Sequence, residues 1–358
     1  MSTHELQVAA VVPETEQAVR VRFAVPEGLK GRFDFEPGQY LTLTATIAGE
    51  ELTRAYSICS LPGEPLEVGI KHLADGRFSG YANRSLAAGD RLPVAEPQGL
   101  FTRDPSRLDG VHYLCIAAGS GITPILSITR ATLDRHPGNR VTLLYGNKTT
   151  ASMMFRDALM FLKNRYMDRL HFIAVFSEEL QDNDLFNGRI NNAKGAEFIK
   201  RLLPLESFDD FFLCGPESMV SEVARGLRGE GVARARIHVE LFSASAEDAA
   251  RRVRKQEERA SRYGSRLCQV AIRFQGRRHR FDLECDGENL LDRARALGIE
   301  LPFSCKDGVC ATCKARLLEG QVDMDVNHAL TDEEVAAGYI LSCQSHPLPG
   351  AVSLDFDA

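Results

Sequence analysis

Hydrophobic and polar positions change their period along the chain. Across residues 1–105, LQVAAVV, VRVRFAV, YLTLTATI, LEVGIKH and DRLPVAE are strand-like runs punctuated by Gly, Pro and Asp. Short strands at this spacing predict an antiparallel β-barrel. Across residues 106–242 the pattern becomes strand, turn, helix. VHYLCIAAGSGITPILSITRATL reads as an apolar strand, a glycine turn and a helix with Pro124 in its first turn. VTLLYGNK and HFIAVFS are further strands, and DDFFLCGPESMVSEVARGL repeats the strand–turn–helix unit. This alternation predicts an α/β, doubly wound parallel sheet. Residues 243–265 are densely charged with few large apolar side chains, which predicts a partly helical or mobile linker. In residues 266–358, QVAIRFQGRRHRFDL alternates around Gln275-Gly276 and predicts a hairpin. ENLLDRARALGIEL predicts an amphipathic helix with Leu290, Leu291, Ala294 and Leu297 on one stripe. CKARLLEGQVDM and AVSLDFDA return to strand, so the whole chain is expected to be multidomain.

Composition narrows the classes. Of 358 residues, 44% are hydrophobic and 26% charged, which is ordinary for a soluble globular chain. A formal net charge of -6 argues against nucleic acid as the main partner. No apolar run approaches the roughly 18–20 residues needed to span a bilayer. MSTHELQVAAVVPETEQ lacks a basic segment followed by an apolar one, so a cytoplasmic protein is expected. Residues 266–358 carry more acidic than basic side chains, which suits either a solvated surface or a docking face.

The nine cysteines carry the first chemical signal. Cys59, Cys115, Cys268 and Cys285 are expected to be small buried hydrophobes. Cys214, in a turn at a strand end, is expected to face a cofactor. Cys305-x4-Cys310-x2-Cys313, followed much later by Cys343, has the spacing of plant-type [2Fe–2S] sites. Gly308 would let backbone approach the cluster, with the small Ala311 and Thr312 filling the loop. Structural zinc usually takes two paired knuckles, and a redox CxxC would leave Cys305 unexplained. With the hairpin and helix around it, this site predicts an α+β module of the β-grasp ferredoxin type.

Such a cluster passes one electron at a time, nicotinamides deliver two as a hydride, and a flavin links them. Within RAYSICS, Arg54 can fork onto a pyrophosphate, Tyr56 shares its strand face and can pack along a flavin, and Ser57 can bond the ring. GRFSGYANRSL places Gly76 and Ser79 at a helix start suited to phosphate. Gly119-x-Gly121-x-x-Pro124 delivers phosphate to a second helix start. The CGPESM turn lies at the carboxyl end of another strand, where ligands of such sheets bind. An NAD site usually places a carboxylate on the ribose 2′-hydroxyl. The strand end YGNKTT has none, and Lys148, Ser152 and Arg156 lie nearby, so NADPH is expected.

FEPGQYLTL, RAYSICS, AAGSGITP, YGNKTTASMMFRDAL, LCGPESM, HVELF and CKDGVCATC together resemble the ferredoxin-reductase family, in the branch with a plant-type ferredoxin fused at the C-terminus. The resemblance spans almost the whole chain. It implies an FAD-binding barrel at 1–105, an NAD(P)-binding domain at 106–242, a linker at 243–265 and a ferredoxin domain at 266–358. It implies FAD held by Arg54, Tyr56, Ser57, Lys71, Gly76 and Ser79. It implies a dinucleotide met by Gly119 and Thr123, with Cys214, Gly215 and Pro216 around the nicotinamide. Glu240 and Phe242 would close over the flavin. Ser57, Cys214 and Glu240 are thus the candidate catalytic residues, and Cys305, Cys310, Cys313 and Cys343 the metal ligands. Asp307 departs from relatives that often have glycine there. YGNKTTASMMFR, LFNGRI and AAGYILSCQSHPL point to the reductases that serve a diiron oxygenase acting on phenylacetyl-CoA. A Rieske dioxygenase or a hybrid-cluster protein is the alternative electron acceptor.

Overall fold

The computed structural model describes residues 3–104, 106–242, 246–303, 306, 308 and 311–358. Cys305, Cys310 and Asp307 lie outside the described residues. The chain divides into two compact units, residues 2–242 and residues 243–358.

The first unit opens with β1 (Thr3–Thr15), β2 (Ala18–Ala24), β3 (Tyr40–Ile47), β4 (Glu50–Ser57), β5 (Leu66–Lys71), helix α1 (Arg77–Arg84) and β6 (Arg91–Ala95). They form one antiparallel sheet in the order β4-β3-β6-β1-β2-β5. An Ile58–Val68 bridge joins the two edges, so the sheet curls towards a barrel. Alternation places Leu6, Val8, Val21, Leu41, Leu43, Val68, Ile70 and Val94 in its core. This is the half-buried antiparallel pattern expected when one sheet face packs inward.

The α/β part follows as β7 (His112–Ala118), α2 (Ile122–Arg135), β8 (Arg140–Asn147), α3 (Arg156–Arg165), β9 (Leu170–Phe176), α4 (Asn192–Arg201), β10 (Asp210–Gly215), α5 (Glu217–Gly229) and β11 (Ile237–Leu241). All its strand pairs are parallel, in the order β11-β10-β7-β8-β9. The chain leaves β7 for β8 on one side and later places β10 on the other. The β7/β10 edge is therefore the switch point where ligands of open α/β sheets sit. Helix α2 is buried on nearly every side, from Ile122 to Thr129. It packs between sheet and barrel, and Ser127 Oγ donates to the Ser60 carbonyl of the barrel at 2.8 Å. Gly69 of β5 makes this contact possible: an added Cβ would meet Thr123 Cγ2 at 2.7 Å and the Phe155 ring at 3.1 Å.

The second unit contains α6 (Ala246–Tyr263), β12 (Leu267–Phe274), β13 (Arg277–Glu284), α7 (Leu290–Ala296), β14 (Lys314–Glu319), β15 (Val322–Met324), α8 (Asp332–Ala336), β16 (Tyr339–Leu341), β17 (Ser345–Pro347) and β18 (Ala351–Asp355). Its main sheet runs β13-β12-β18-β14-β16. The hairpin turns at Gln275 (φ 50) and Gly276 (φ 71). Two left-handed residues fit the twist of a two-residue hairpin loop. Asp357 accepts from both their amides at 2.7 and 2.9 Å. Leu290, Leu291 and Ala294 are fully buried as expected, but Leu297 is 47% exposed. The helix ends at Ala296, so the stripe stops one turn earlier than periodicity alone suggests. Cys268 and Cys285 are both buried.

The densely charged segment expected as a linker is largely a helix fastened to this second unit. Arg259 of α6 is 3% exposed and meets Asp323 at 2.7 Å and Asp325 at 2.5 Å. Lys255 bonds Asp323 at 2.6 Å, and His346 meets Asp325 at 3.2 Å from the other side. Burial alone would push the Asp325 carboxyl up, but the bonds from His346 and Arg259 outweigh it and hold it below the usual range. Asp323 is lowered in the same way, by Lys255 and Arg259 against burial. Arg259→Met is expected to destabilise the second unit by about 3–5 kcal/mol, because it leaves buried carboxylates short of charge. Urea titration followed by cluster absorbance checks this. Depressed carboxylate pKa values add stability that is complete above the ordinary value of 3.8 and lost as pH falls through the folded values. The wild type should therefore lose this contribution only below about pH 4, and Arg259→Met should lack much of that acid step.

Candidate functional site

The switch-point edge is built from two turns that touch. After β7 the chain makes one 3-10 turn, Gly119–Gly121, and enters α2. An added Cβ on Gly121 would fall on the Cys214 carbonyl, well inside contact distance. Gly119 adopts φ +55, the left-handed region in which glycine is unstrained. Tyr145, buried in β8, donates its hydroxyl to the Gly119 carbonyl at 2.9 Å and fixes the turn from below. Gly215 and Pro216 follow Cys214 and lead into α5.

Register then brings distant residues together. Cys214 of β10 pairs with Glu240 of β11 and with Ala117 of β7. Ser57, 183 residues before Glu240, donates its hydroxyl to Glu240 Oε2 at 3.1 Å. Ser57 is 2% exposed and Cys214 is fully buried. Burial first, and the Glu240 charge second, hold the Cys214 thiol well above its ordinary range. Phe242 packs on the hydrophobic cluster that contains Cys214. The three candidate catalytic residues thus share one edge of the first unit. Cys214 is a neutral thiol there, and Glu240 is the polar group that a hydroxyl already orients.

The barrel contributes the facing wall. Tyr56 packs on Phe78 with ring centroids 5.5 Å apart, and burial pushes its phenol upward. Arg54 shares its strand face but is exposed, and donates to the adjacent Thr53 carbonyl at 2.8 Å. Ser79 is buried and its hydroxyl is already engaged. It donates to the Gly76 carbonyl and accepts from the Leu73 amide, both at 3.1 Å. Gly76 caps α1, and an added Cβ would strike Ser79 Oγ. Thr123 is likewise 1% exposed, with its hydroxyl donating to the Ser120 carbonyl at 3.0 Å. In this structure Ser79 and Thr123 shape the turns around the edge.

Lys71 ends β5 beside the Gly119 turn, with Nζ 3.7 Å from where a glycine Cβ would lie. It is half-buried, and burial together with repulsion from Lys148 pulls its pKa down. A half-buried lysine beside a glycine turn, with a second lysine near it, fits an anionic group such as a dinucleotide phosphate. Lys148 also pairs with Glu178 at 3.1 Å. Glu179 accepts from the Thr150 amide and hydroxyl, both at 2.6 Å. Ser152 completes a capping box with Thr149, and Arg156 begins α3. Glu178 and Glu179 arrive from the end of β9, a neighbouring parallel strand, so the stretch YGNKTT alone does not reveal them. The rule that adjacent parallel strands end on the same edge would have found them.

In the second unit, Cys313 and Cys343 are both buried. Their sulfurs lie within hydrogen-bonding reach of one another. The loop before them carries Lys306, Gly308 and Ala311 at positive φ. Non-glycine residues there mark a constrained backbone bend. A Cβ on Gly308 would meet the Val326 carbonyl at 2.9 Å and Gln344 Cγ at 3.0 Å. Two adjoining buried sulfurs under a tight glycine loop fit thiolate ligation of an iron–sulfur cluster.

Comparisons agree with this geometry. Family models match an oxidoreductase FAD-binding domain at residues 6–102, an oxidoreductase NAD-binding domain at 115–225 and a 2Fe-2S iron-sulfur cluster binding domain at 272–348. The chain is a flavin-dependent electron-transfer oxidoreductase with a [2Fe–2S] module. It belongs to the family of oxygenase reductases that carry a ferredoxin domain at the C-terminus. It is 44% identical to a component of the 1,2-phenylacetyl-CoA epoxidase of Escherichia coli K12, over 99% of this chain and 98% of that one. It is 32% identical to the ferredoxin reductase component of 3-ketosteroid-9-alpha-monooxygenase from Rhodococcus rhodochrous, over 98% and 96%. Phthalate dioxygenase reductase shares the fold, with TM-score 0.61 and 20% identity, over 99% and 98%.

Two measurements probe the edge. Ser57→Ala should slow anaerobic flavin reduction by the nicotinamide about 10²-fold in a stopped-flow trace, by removing the hydroxyl that orients Glu240. A rate within about twofold of wild type would remove Ser57 from the machinery. Because its pKa is raised, Cys214 should stay protonated and resist iodoacetamide in the native protein up to about pH 9, as peptide mass mapping would show.

Proposed function

We propose that this reductase takes a hydride from NADPH, passes single electrons through FAD to the [2Fe–2S] centre, and reduces the diiron oxygenase subunits of a phenylacetyl-CoA epoxidase. The observation that carries the partner is the 44% identity over nearly the full chain to a component of such a system. The 32% match to the steroid monooxygenase component is weaker over the same span. When bound, FAD supplies the conversion between hydride and single-electron chemistry.

In this reading the modules are 1–105, 106–242 and 266–358. Arg54, Tyr56 and Ser57 hold the flavin, with Gly76 and Ser79 shaping its phosphate end and Lys71 adding charge. Gly119, Thr123, Gly215 and Pro216 frame the dinucleotide. Cys214 packs by the nicotinamide, and the Glu240 carboxylate, oriented by Ser57, lies near the reacting ring. Phe242 covers that place. Cys305, Cys310, Cys313 and Cys343 hold the cluster. The enzyme works in the cytoplasm, where its buried free cysteines stay reduced.

Lys148, Ser152 and Arg156 support NADPH through their fit to a 2′-phosphate. The Lys148–Glu178 pair and the nearby Glu179 favour a second reading, NADH, because carboxylates suit a free 2′-hydroxyl. A kcat/KM comparison decides between them. NADPH preferred, with Glu178→Gln raising that preference, supports the first reading. NADH preferred in the wild type supports the second.

Reconstitution with purified oxygenases tests the partner. NADPH-driven epoxide should form with the phenylacetyl-CoA oxygenase. Product only with a different oxygenase would reassign the partner and leave the electron path intact.

A further inference from the structure

A buried amide lies against the fourth cysteine. Gln344 is 3% exposed. Its Nε2 donates to the Lys306 carbonyl at 2.6 Å and to the Cys343 carbonyl at 3.0 Å, and lies 3.6 Å from Cys343 Sγ. Its Cγ lies 3.0 Å from where a Cβ on Gly308 would be, so the loop rests on this side chain. The two ends of an amide are equal in size but opposite in hydrogen bonding. Oε1 accepts from Arg252 Nε at 3.2 Å. The Lys306 and Cys343 carbonyls only accept and a guanidinium only donates, so contacts at both ends turn the N–H₂ end to the loop and sulfur and the carbonyl end to Arg252.

Arg252 comes from α6, three residues before Lys255 and seven before Arg259. That spacing puts all three on one helix face. Lys255 and Arg259 fasten the face to Asp323 and Asp325. The Asp325 amide in turn donates to the Gln344 carbonyl at 2.8 Å. The contact that orients Gln344 is therefore held at both ends.

We propose that Arg252 is a positioning residue for the iron–sulfur centre: it fixes the Gln344 amide so that its N–H₂ end faces the Cys343 sulfur, and through this bond α6 sets the reduction potential. Hydrogen bonds to ligand sulfurs stabilise the more negative, reduced cluster and raise its potential. The inference rests on the reading of Cys343 as a cluster ligand.

The experiment is an EPR-monitored redox titration of the full-length holoprotein, with the flavin potential as internal control. Gln344→Leu should lower the cluster potential, and Arg252→Leu should lower it in the same direction. The double variant should match Gln344→Leu, because Arg252 acts through that amide. The flavin potential should not move. Gln344→Met, of nearly the same length, is titrated in its place if the leucine variant fails to load iron. An unchanged cluster potential in Arg252→Leu would overturn the proposal. So would an equal further drop when Arg252→Leu is added to Gln344→Leu, since that is a charge acting through space. Cys343→Ser separates the two readings. If it leaves the EPR signal unchanged, the ligand assignment fails. If it alters the signal while Arg252→Leu does nothing, only the positioning role fails.

Discussion

The contact between Gly121 and the carbonyl of Cys214 is the constraint on which residues 2–242 depend. A side chain at Gly121 would separate the turn after β7 from the end of β10. Those are the two strands at which the sheet changes direction, so separation would open the ligand edge itself. Held together, the turns start α2 on one face of the sheet and α5 on the other. Helix α2 then carries Thr123 against Gly69 and Ser127 against Ser60, which docks the barrel on the sheet. Only with the barrel docked does Ser57 meet Glu240.

Electrostatics follow that geometry. Two lysines of one sign, Lys71 and Lys148, crowd a turn of backbone amides, and one of them is half-buried. Burial and the Lys148 charge lower the Lys71 pKa, while Lys148 itself pairs with Glu178. At the β10–β11 end of the same sheet the charge is negative. Glu240 faces a hydroxyl and a fully buried neutral thiol.

The second unit handles charge in the opposite way. Its helix α6 is rich in Arg and Glu, a composition that reads as solvated. Yet Arg259 enters a buried network with Asp323, Asp325 and His346. Breaking one member strands the rest, so the helix is bound to the module that holds Cys343. The segment before β12 is thus part of the folded module as well as a connection.

Much of this is legible in the chain. Barrel strands, the parallel α/β repeat, the Gln275-Gly276 hairpin and the cysteine spacing follow from local rules: period, turn chemistry and the ligand count of a cluster. These need no knowledge of distant residues. The same is true of the glycines at strand ends, whose lack of a Cβ matters wherever backbone must approach backbone. Tertiary structure decided what depends on register and packing. Ser57 and Glu240 meet only because two modules dock. Glu178 and Glu179 reach the edge only because β9 lies beside β8. Leu297 is exposed because α7 ends before it. Arg252, Arg259 and Gln344 look like surface polar residues in sequence, and become packed partners only when α6 folds back on β15. A one-dimensional pattern records which side chains prefer water; which charges satisfy one another away from water is settled by three-dimensional contact.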